Sequence, residues 1–127
     1  MEKKQKGEKV MKKEERVLIY PAIYKHFKDK YYATMGVSRP VKAVRPTMQV
    51  FMYAEDTETK DVIPIFNING EYVHLEAHYD KGLVLYKSLY DNHGVYCRDS
   101  EMFMSEIDVE REDNVTKQKH RFELVEY

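Results

Sequence analysis

Five side chains in two separated stretches have the types best suited to bind a ligand: His26, Tyr32, Tyr86, Tyr96 and Arg98. Histidine can act as a general base or contact an anion near neutral pH. Arginine can hold a carboxylate or a phosphate through two hydrogen bonds and can stack on aromatic rings. Tyrosine adds an apolar ring with a polar tip. These residues predict a recognition surface for a small anionic ligand, a peptide or a protein partner.

The two polar candidates also have structural interpretations. The His26 ring could bond a carbonyl of the turn that follows it, and this interpretation is favoured because the sequence places no partner carboxylate. Arg98 could pair with Glu101 or Glu106 and fix the next turn. For Arg98 the structural role and the ligand-binding role have about equal weight, because arginine serves both well.

Two further patterns carry possible chemistry, and both favour a structural role. His74, Glu76 and His78 would share one face of a strand and could converge on a metal ion, but no fourth ligand lies nearby. We therefore expect polar surface residues at a strand end and no metal site. Cys97 alternates away from its neighbours on a strand, so we expect it in the core rather than as a nucleophile.

Motifs that would identify a reaction are missing from the sequence. It contains no glycine-rich phosphate loop, no serine nucleophile elbow and no paired catalytic carboxylates. We therefore expect no catalytic residue and no cofactor, although whether the chain is an enzyme stays open. The alternative is an enzyme or metabolite sensor in which His26 and Arg98 act on a phosphorylated or carboxylated small molecule.

Composition indicates one small domain with a charged leader. The 127 residues are 43% hydrophobic, and the formal net charge is −1. Residues 1–16 hold seven Lys or Arg and four Glu, a net charge of +3, so the remainder carries −4. We predict a flexible basic leader at 1–16 and a single β-barrel-like domain at 17–127. The acidic body argues against nucleic acid as a partner.

Nucleic-acid binding is nevertheless a further alternative function. It would use the leader together with a basic loop that contains Arg39, Lys42 and Arg45, and its affinity would fall steeply with salt. The single cysteine and the lack of a signal-type apolar segment predict a cytoplasmic protein. No stretch approaches the roughly 20 apolar residues of a membrane span.

The strand pattern predicts the fold most clearly near residue 85. Residues 83–90 carry large apolar side chains on both alternating faces, which is typical of a strand buried on both sides. Residues 91–94 supply turn chemistry, and residues 95–98 form the return strand. Asn69 and Gly70 predict a second hairpin. Asp99 or Ser100 can cap one helical turn near residues 100–104.

The remaining strands are shorter and follow from alternation. Residues 31–37 form a long strand in which Gly36 indicates a bulge or a close backbone approach. Pro64 makes the strand around it an edge strand. Residues 107–109 alternate as a further strand, and residues 121–125 are expected to close the sheet. Six to eight short strands predict an all-β fold, a small barrel or roll of antiparallel strands.

Three stretches resemble a bacterial family known as domain of unknown function 1653. Residues 24–28 with Tyr32 and Gly36 are similar to its opening, Tyr-x-His-Phe-Lys-Gly followed by Tyr and Gly. Residues 84–106 resemble its second half, Val-x-Tyr-x-x-Leu-Tyr, then Gly-x-Trp-Val-Arg-Pro and Met-Phe-x-Glu, with Tyr96 at the Trp position and Asp99 at the Pro position. Residues 54–63 are similar to its middle turn. The resemblance implies an SH3-like barrel with insertions at 38–53 and 64–83, and it implies no activity.

Overall fold

The computed structural model describes residues 16–126, which form eight strands and one short helix. The strands are β1 Ala22–His26, β2 Lys30–Val41, β3 Met52–Asp56, β4 Val62–Ile68, β5 Glu71–Leu75, β6 Leu83–Ser88, β7 Val95–Asp99 and β8 Phe122–Glu126. The helix α1 covers Ser100–Phe103. The described residues include no helix with the length and apolar character needed to cross a membrane. The predicted leader lies outside the described residues, except for its last residue.

Six of the strands close into a barrel. They are hydrogen-bonded in the order β5-β4-β3-β7-β6-β2, and β2 returns to β5. Four of these pairings are antiparallel, whereas β2–β5 and β3–β7 are parallel. The prediction of an all-β barrel with one short helical turn is confirmed, and the two parallel pairings are an addition to it. Closure removes the free edges that an open sheet would expose.

Strand β2 is long enough to pair with three neighbours. Its first residues pair with β1, its middle pairs with β6, and Ser38 to Val41 pair with β5. The β2–β6 register shifts between Thr34 and Gly36. A Cβ atom at Gly36 would lie 3.0 Å from Cε2 of Tyr72, so a larger residue would have to displace that ring. The sequence predicted either a bulge or a close approach at Gly36, and the structure has both the register shift and the nearby Tyr72 ring.

Strand β6 divides the core into two clusters, because both of its faces are buried. Val84 and Tyr86 pack with a first cluster that contains Phe103 and Phe122. Leu83 and Leu85 pack inside the barrel with a second cluster, whose other buried members are Ala54, Ile63, Ile65 and Cys97. Each fully buried large side chain of this kind contributes about 1.5–3 kcal/mol to the free energy of unfolding. The prediction of a strand buried on both faces is confirmed, as is the core position of Cys97.

Turn chemistry places the other elements as predicted. Asn69 and Gly70 both have positive φ, 54° and 89°, which is the geometry of a two-residue hairpin loop. Asp99 caps α1, because its side chain accepts hydrogen bonds from the backbone N–H groups of Glu101 and Met102.

Three local predictions were wrong. Strand β4 has neighbours on both sides, so it is not an edge strand; Pro64 is tolerated because only residues 66–68 pair with β5. Residues 107–109 form no strand, and this segment is held by one bridge between Glu106 and His120. Strand β8 does not close the sheet. It pairs with β1, and the two strands extend from β2 as a flap beside the barrel.

Arg16 ties the start of the described chain to this flap. Its guanidinium donates to the carbonyl oxygens of Met104 and Phe122, at 2.8 and 2.7 Å. The first residue that the structure describes therefore contacts both the segment after α1 and strand β8.

Candidate functional site

A cavity of about 310 Å³ lies where the β1–β8 flap meets the barrel. It is lined by His26, Phe27, Lys28, Lys30, Tyr32, Thr57, Lys60, Tyr86, Tyr90, Tyr96, Arg98, Arg111, Arg121 and Phe122. All five candidate residues from the sequence are members of this set. The structure therefore brings together side chains that are up to 72 positions apart, from His26 to Arg98.

Strand geometry explains how the second stretch reaches the cavity. Side chains alternate along β7, so Tyr96 and Arg98 point away from the barrel interior that the intervening Cys97 occupies. Tyr86 lies directly opposite Tyr96 on the neighbouring strand β6. From the other side, Tyr32 on β2 meets the Tyr86 ring edge-on at 5.3 Å between centroids. The tyrosine part of the cavity wall is thus built by cross-strand neighbours.

The tyrosines pack mainly on one another, so few of their ring faces are open. Tyr86 is only 1% exposed. One face of Tyr96 is stacked against the His93 ring, with a centroid distance of 4.3 Å and an angle of 8°. Burial raises the pKa of Tyr32, Tyr86 and Tyr96, so all three keep their hydroxyl protons at neutral pH. They supply a polar-tipped wall rather than a wide stacking surface.

His26 is a neutral hydrogen-bond donor in this setting. Its Nδ1 accepts the backbone N–H of Lys28 at 3.1 Å, so the proton of the neutral ring sits on Nε2. Partial burial, together with the positive charges of Arg98, Arg121 and Lys28, lowers the pKa of His26 to about 3. The structural interpretation expected a bond to a turn carbonyl, but the ring accepts from a turn amide instead.

Arg98 is the most firmly positioned cation of the cavity. Its Nε donates to Oγ1 of Thr57 at 2.9 Å, and its Nη1 donates to Oε2 of Glu58 at 3.2 Å. The Thr57 hydroxyl also lies 3.2 Å from the hydroxyl of Tyr86. The expected pairing of Arg98 with Glu101 or Glu106 was therefore wrong, because the turn at 57–60 folds over β7 and supplies Glu58.

Positive charge dominates the lining. Six of the lining residues are lysine or arginine, and none is aspartate or glutamate. Two carboxylates lie just behind the wall: Glu58 pairs with Arg98, and Asp113 pairs with Arg111 at 2.6 Å. Such a concave, one-signed surface concentrates the potential that attracts anions.

Half of these cations have no carboxylate partner within residues 16–126. They are Lys30, Lys60 and Arg121. Lys30 lies over the ring of Tyr90 at 4.6 Å. Burial lowers the pKa of Arg121, and the nearby charge of Arg98 adds to that effect, although an arginine stays protonated at neutral pH.

Sequence reasoning missed four lining residues that matter here: Lys30, Lys60, Arg111 and Arg121. Arg111 lies in the segment between α1 and β8. The structure anchors that segment through Gln118, whose side-chain amide donates to the carbonyl oxygens of Lys25 and His120. The sequence signal for this anchoring is a single glutamine, Gln118. The Lys25 carbonyl oxygen that its side chain binds lies 93 positions away.

The other sequence patterns are structural. Strand β5 ends at Leu75, so Glu76 and His78 leave the face that holds His74. His74 is fully buried, contrary to the expected surface position, and its ring bonds Ser38 Oγ at 2.6 Å and the carbonyl of Lys81 at 3.0 Å. No group of three or more possible metal ligands occurs among the described residues. Burial raises the pKa of Cys97 to about 12, so this thiol is not an activated nucleophile.

A family model covers the second half of this architecture, from the middle of β4 to β8. It matches residues 65–124, and the family is described as a protein of unknown function, DUF1653. The match to the DUF1653 model covers just under half of the chain. The resemblance drawn from the sequence is thereby confirmed. The comparisons with curated proteins and with solved structures found no match.

The matched residues, 65–124, contain only part of the cavity lining. Tyr86, Tyr96, Arg98, Arg111 and Arg121 lie inside the match, whereas the residues of the β1–β2 hairpin and the turn at 57–60 lie before it. Residues 65–83 are also inside the match, although the stretch 64–83 was expected to be an insertion. The structure uses that stretch for the β4–β5 hairpin that closes the barrel.

Proposed function

We propose that this protein is a small cytoplasmic recognition module that binds an anionic small molecule in the cavity between the flap and the barrel. The observation that carries the proposal is the lining itself, with six cationic side chains and no carboxylate. Buried or concave clusters of like charge are costly unless an opposite charge is supplied. An anionic ligand would supply it.

Binding without catalysis is the form of this function that the side chains favour. Neutral His26 already uses Nδ1 as an acceptor for a backbone amide, which leaves Nε2–H as a donor rather than a base. The tyrosine hydroxyls are protonated, because burial raises their pKa. These groups can orient oxygens of a ligand, and none of them is poised to remove a proton at neutral pH.

Arg98 is the proposed anchor, and its lysine variant tests the proposal. A thermal melt of the purified chain against phosphorylated and carboxylated metabolites should show stabilisation; a ligand at about 100 times its Kd adds roughly 2.7 kcal/mol. Arg98→Lys keeps the charge but loses the bond to Thr57 and the planar donor array, so affinity should fall about tenfold. No shift with any anion, or equal shifts in the variant, would contradict the proposal.

A peptide or protein partner is the second candidate, supported by a different region. Strand β8 pairs only with β1 among the described strands, so beyond the Phe122 carbonyl that Arg16 occupies, its outer edge could accept a peptide strand. Leu124 and Val125 on β8 are 41% and 47% exposed. Binding to an immobilised peptide array that is lost in Val125→Lys, and retained in Arg98→Lys, would favour this candidate over the cavity.

A further inference from the structure

We propose that the ligand of the cavity is the phosphoryl dianion of a small phosphomonoester, selected by Arg98, Arg111 and Arg121. This inference rests on the proposed anion-binding function and specifies its chemical class. It is carried by the balance of charges around the cavity, the placement of the three guanidinium groups and the donors that face the same space.

The charge balance favours a ligand with more than one negative charge. Glu58 and Asp113 are the carboxylates that pair with the cavity cations, and Asp113 serves both Arg111 and Lys28, the latter at 3.8 Å. Three cations are left without a carboxylate partner inside the described range. A carboxylate ligand supplies one charge, whereas a phosphomonoester supplies about −1.5 to −2 near neutral pH.

The three arginines approach from different parts of the fold. Arg98 comes from β7, and it is fixed by Thr57 and Glu58. Arg111 and Arg121 both lie over the ring of Phe27, at 5.2 and 5.6 Å from its centroid, so one aromatic side chain positions two guanidinium groups. Donors that converge from several directions suit the three terminal oxygens of a phosphoryl group better than the two coplanar oxygens of a carboxylate.

Further donors around the arginines, neutral His26 and two lysines, also suit a phosphoryl group. His26 presents Nε2–H, and no acceptor for it is found among residues 16–126. Lys30 and Lys60 lie at the cavity rim, where they can meet the outer oxygens or a second anionic group. A cavity of about 310 Å³ is at the lower limit for ligand pockets, which fits a small phosphomonoester and not a large cofactor.

Holding Arg121 beside Arg98 and Arg111 is unfavourable for the empty protein, and this gives the inference a distinctive signature. Replacing an arginine that has only a structural role lowers the stability of the protein. For Arg121→Gln we expect the ligand-free protein to melt at the same temperature or higher, because the burial of a charge and its repulsion by Arg98 are removed, and these outweigh the 3.3 Å hydrogen bond from Arg121 Nε to Ser105 Oγ. The same substitution should weaken phosphomonoester binding by at least about tenfold, as for a lost charged hydrogen bond.

The test is a calorimetric titration of the 127-residue chain with methyl phosphate, dimethyl phosphate and acetate at equal ionic strength. Methyl phosphate has a tetrahedral dianion, dimethyl phosphate keeps the shape with one charge, and acetate has one charge on two oxygens. We expect binding in that order, with methyl phosphate at least about tenfold tighter than either monoanion. Arg39→Gln is the matched control, because Arg39 pairs with Glu71 on the surface and does not line the cavity.

Varying pH separates ligand charge from protein charge. Methyl phosphate should bind more tightly as pH rises through about 6, where its second proton is lost. Sulfate, which keeps two charges over the same range, should show a flat profile. His26, whose pKa is lowered to about 3, and Tyr32, Tyr86 and Tyr96, whose pKa values are raised by burial, do not change charge in this range.

The outcomes separate the two levels of the proposal. Tighter binding of methyl phosphate that Arg121→Gln weakens and Arg39→Gln does not supports the phosphoryl assignment. Acetate binding that equals or exceeds methyl phosphate binding, and that still depends on Arg98, overturns the phosphoryl assignment and leaves the anion-binding function standing. Absence of binding for every anion overturns both.

Discussion

The cationic cavity and a neighbouring acidic cavity lie on the two sides of the turn at 57–60, and they use their charges differently. The acidic cavity is larger, about 510 Å³, and is lined by the carboxylates of Asp56, Glu58, Asp99 and Glu101 with one lysine, Lys81. By size alone it would be the more obvious binding site. The hydrogen bonds of the two cavities point to the opposite conclusion.

Two carboxylates in the acidic cavity, those of Asp56 and Asp99, already hold the backbone. Asp56 accepts the N–H groups of Glu58 and Thr59, at 2.8 and 3.2 Å, and so builds the turn. Asp99 accepts two N–H groups at the start of α1 with one oxygen, and the hydroxyl of Tyr79 donates to the other. In the cationic cavity, by contrast, three side chains have no carboxylate partner within the described part of the chain. Three cations left without a carboxylate partner in that range, rather than cavity size, distinguish the candidate site.

The largest effect that this comparison predicts is on stability, at the acidic cavity. Asp99→Ala removes the cap of α1 and leaves the Tyr79 hydroxyl without its acceptor, so the free energy of unfolding should fall by about 2–3 kcal/mol. Methyl phosphate affinity at a temperature where the variant is folded should be unchanged. Chemical denaturation and calorimetry measure the two quantities.

Asp108→Ala provides the control for that variant. Asp108 caps an exposed turn by accepting the N–H of Glu110, so its loss should cost only a few tenths of a kcal/mol. Equal losses in the two variants, or a loss of anion affinity in Asp99→Ala, would break the distinction between the cavities.

His26 gives the next largest effect, through pH. Its folded pKa of about 3 lies below the ordinary 6.5, so between these values the unfolded chain binds a proton that the folded protein does not. The stability contributed by the neutral ring is therefore complete above about pH 6.5 and is lost as pH falls toward 3. The charges that face the ring are Arg98, Arg121 and Lys28, opposed by Asp113.

The measurement is the difference in unfolding free energy between the wild-type chain and His26→Gln across that range. Other acids titrate there too, but the difference isolates His26. We expect the wild-type chain to lose of the order of 1 kcal/mol relative to the variant between pH 7 and pH 4, a value reduced by the partial exposure of the ring. Parallel profiles would show that His26 is not held neutral by its burial and the nearby cations.

The smallest predicted effect concerns backbone strain at Lys60. This residue has φ of 70°, a region that favours glycine, and it places its charge at the rim of the cationic cavity. Lys60→Gly should raise stability by about 0.5–1 kcal/mol and weaken methyl phosphate binding by a few fold.

Lys117 is the matched position, since its φ is 56° and it does not line the cavity. Lys117→Gly should gain a similar stability and leave binding unchanged. If the two variants lost the same affinity, long-range charge rather than the cavity would account for it, and the contribution assigned to Lys60 would be wrong.

The sequence predicts the barrel well where strand periodicity and turn chemistry agree. The two-faced apolar run of β6, the Asn69–Gly70 loop and the Asp99 cap are each local patterns with a clear physical meaning. The course of β8 was not predictable in this way, because its alternation fits pairing with any open edge. Its pairing with β1, and not with the barrel, depends on which strands have already closed the ring.

The candidate site likewise combines local patterns that the sequence reveals with long-range contacts that it does not. Residue type alone selected His26, Tyr32, Tyr86, Tyr96 and Arg98, and the structure places them around one cavity. The partners of these residues could not be read from the sequence. Glu58 reaches Arg98 across 40 positions, and the segment that carries Arg111 is folded back by Gln118 through contacts with β1. Contacts between loops that are far apart along the chain leave no periodic pattern in the sequence.

The central claim, that the cationic cavity binds an anion, is tested most directly by a nuclear magnetic resonance titration. Methyl phosphate would be added to the ¹⁵N-labelled 127-residue chain while the side-chain Nε–H signals of Arg98, Arg111, Arg121 and Arg39 are followed. The account predicts that the first three shift together with one dissociation constant, while Arg39 does not move. Shifts spread equally to Arg39, or no shift at Arg98 and Arg121 at saturating ligand, would contradict it.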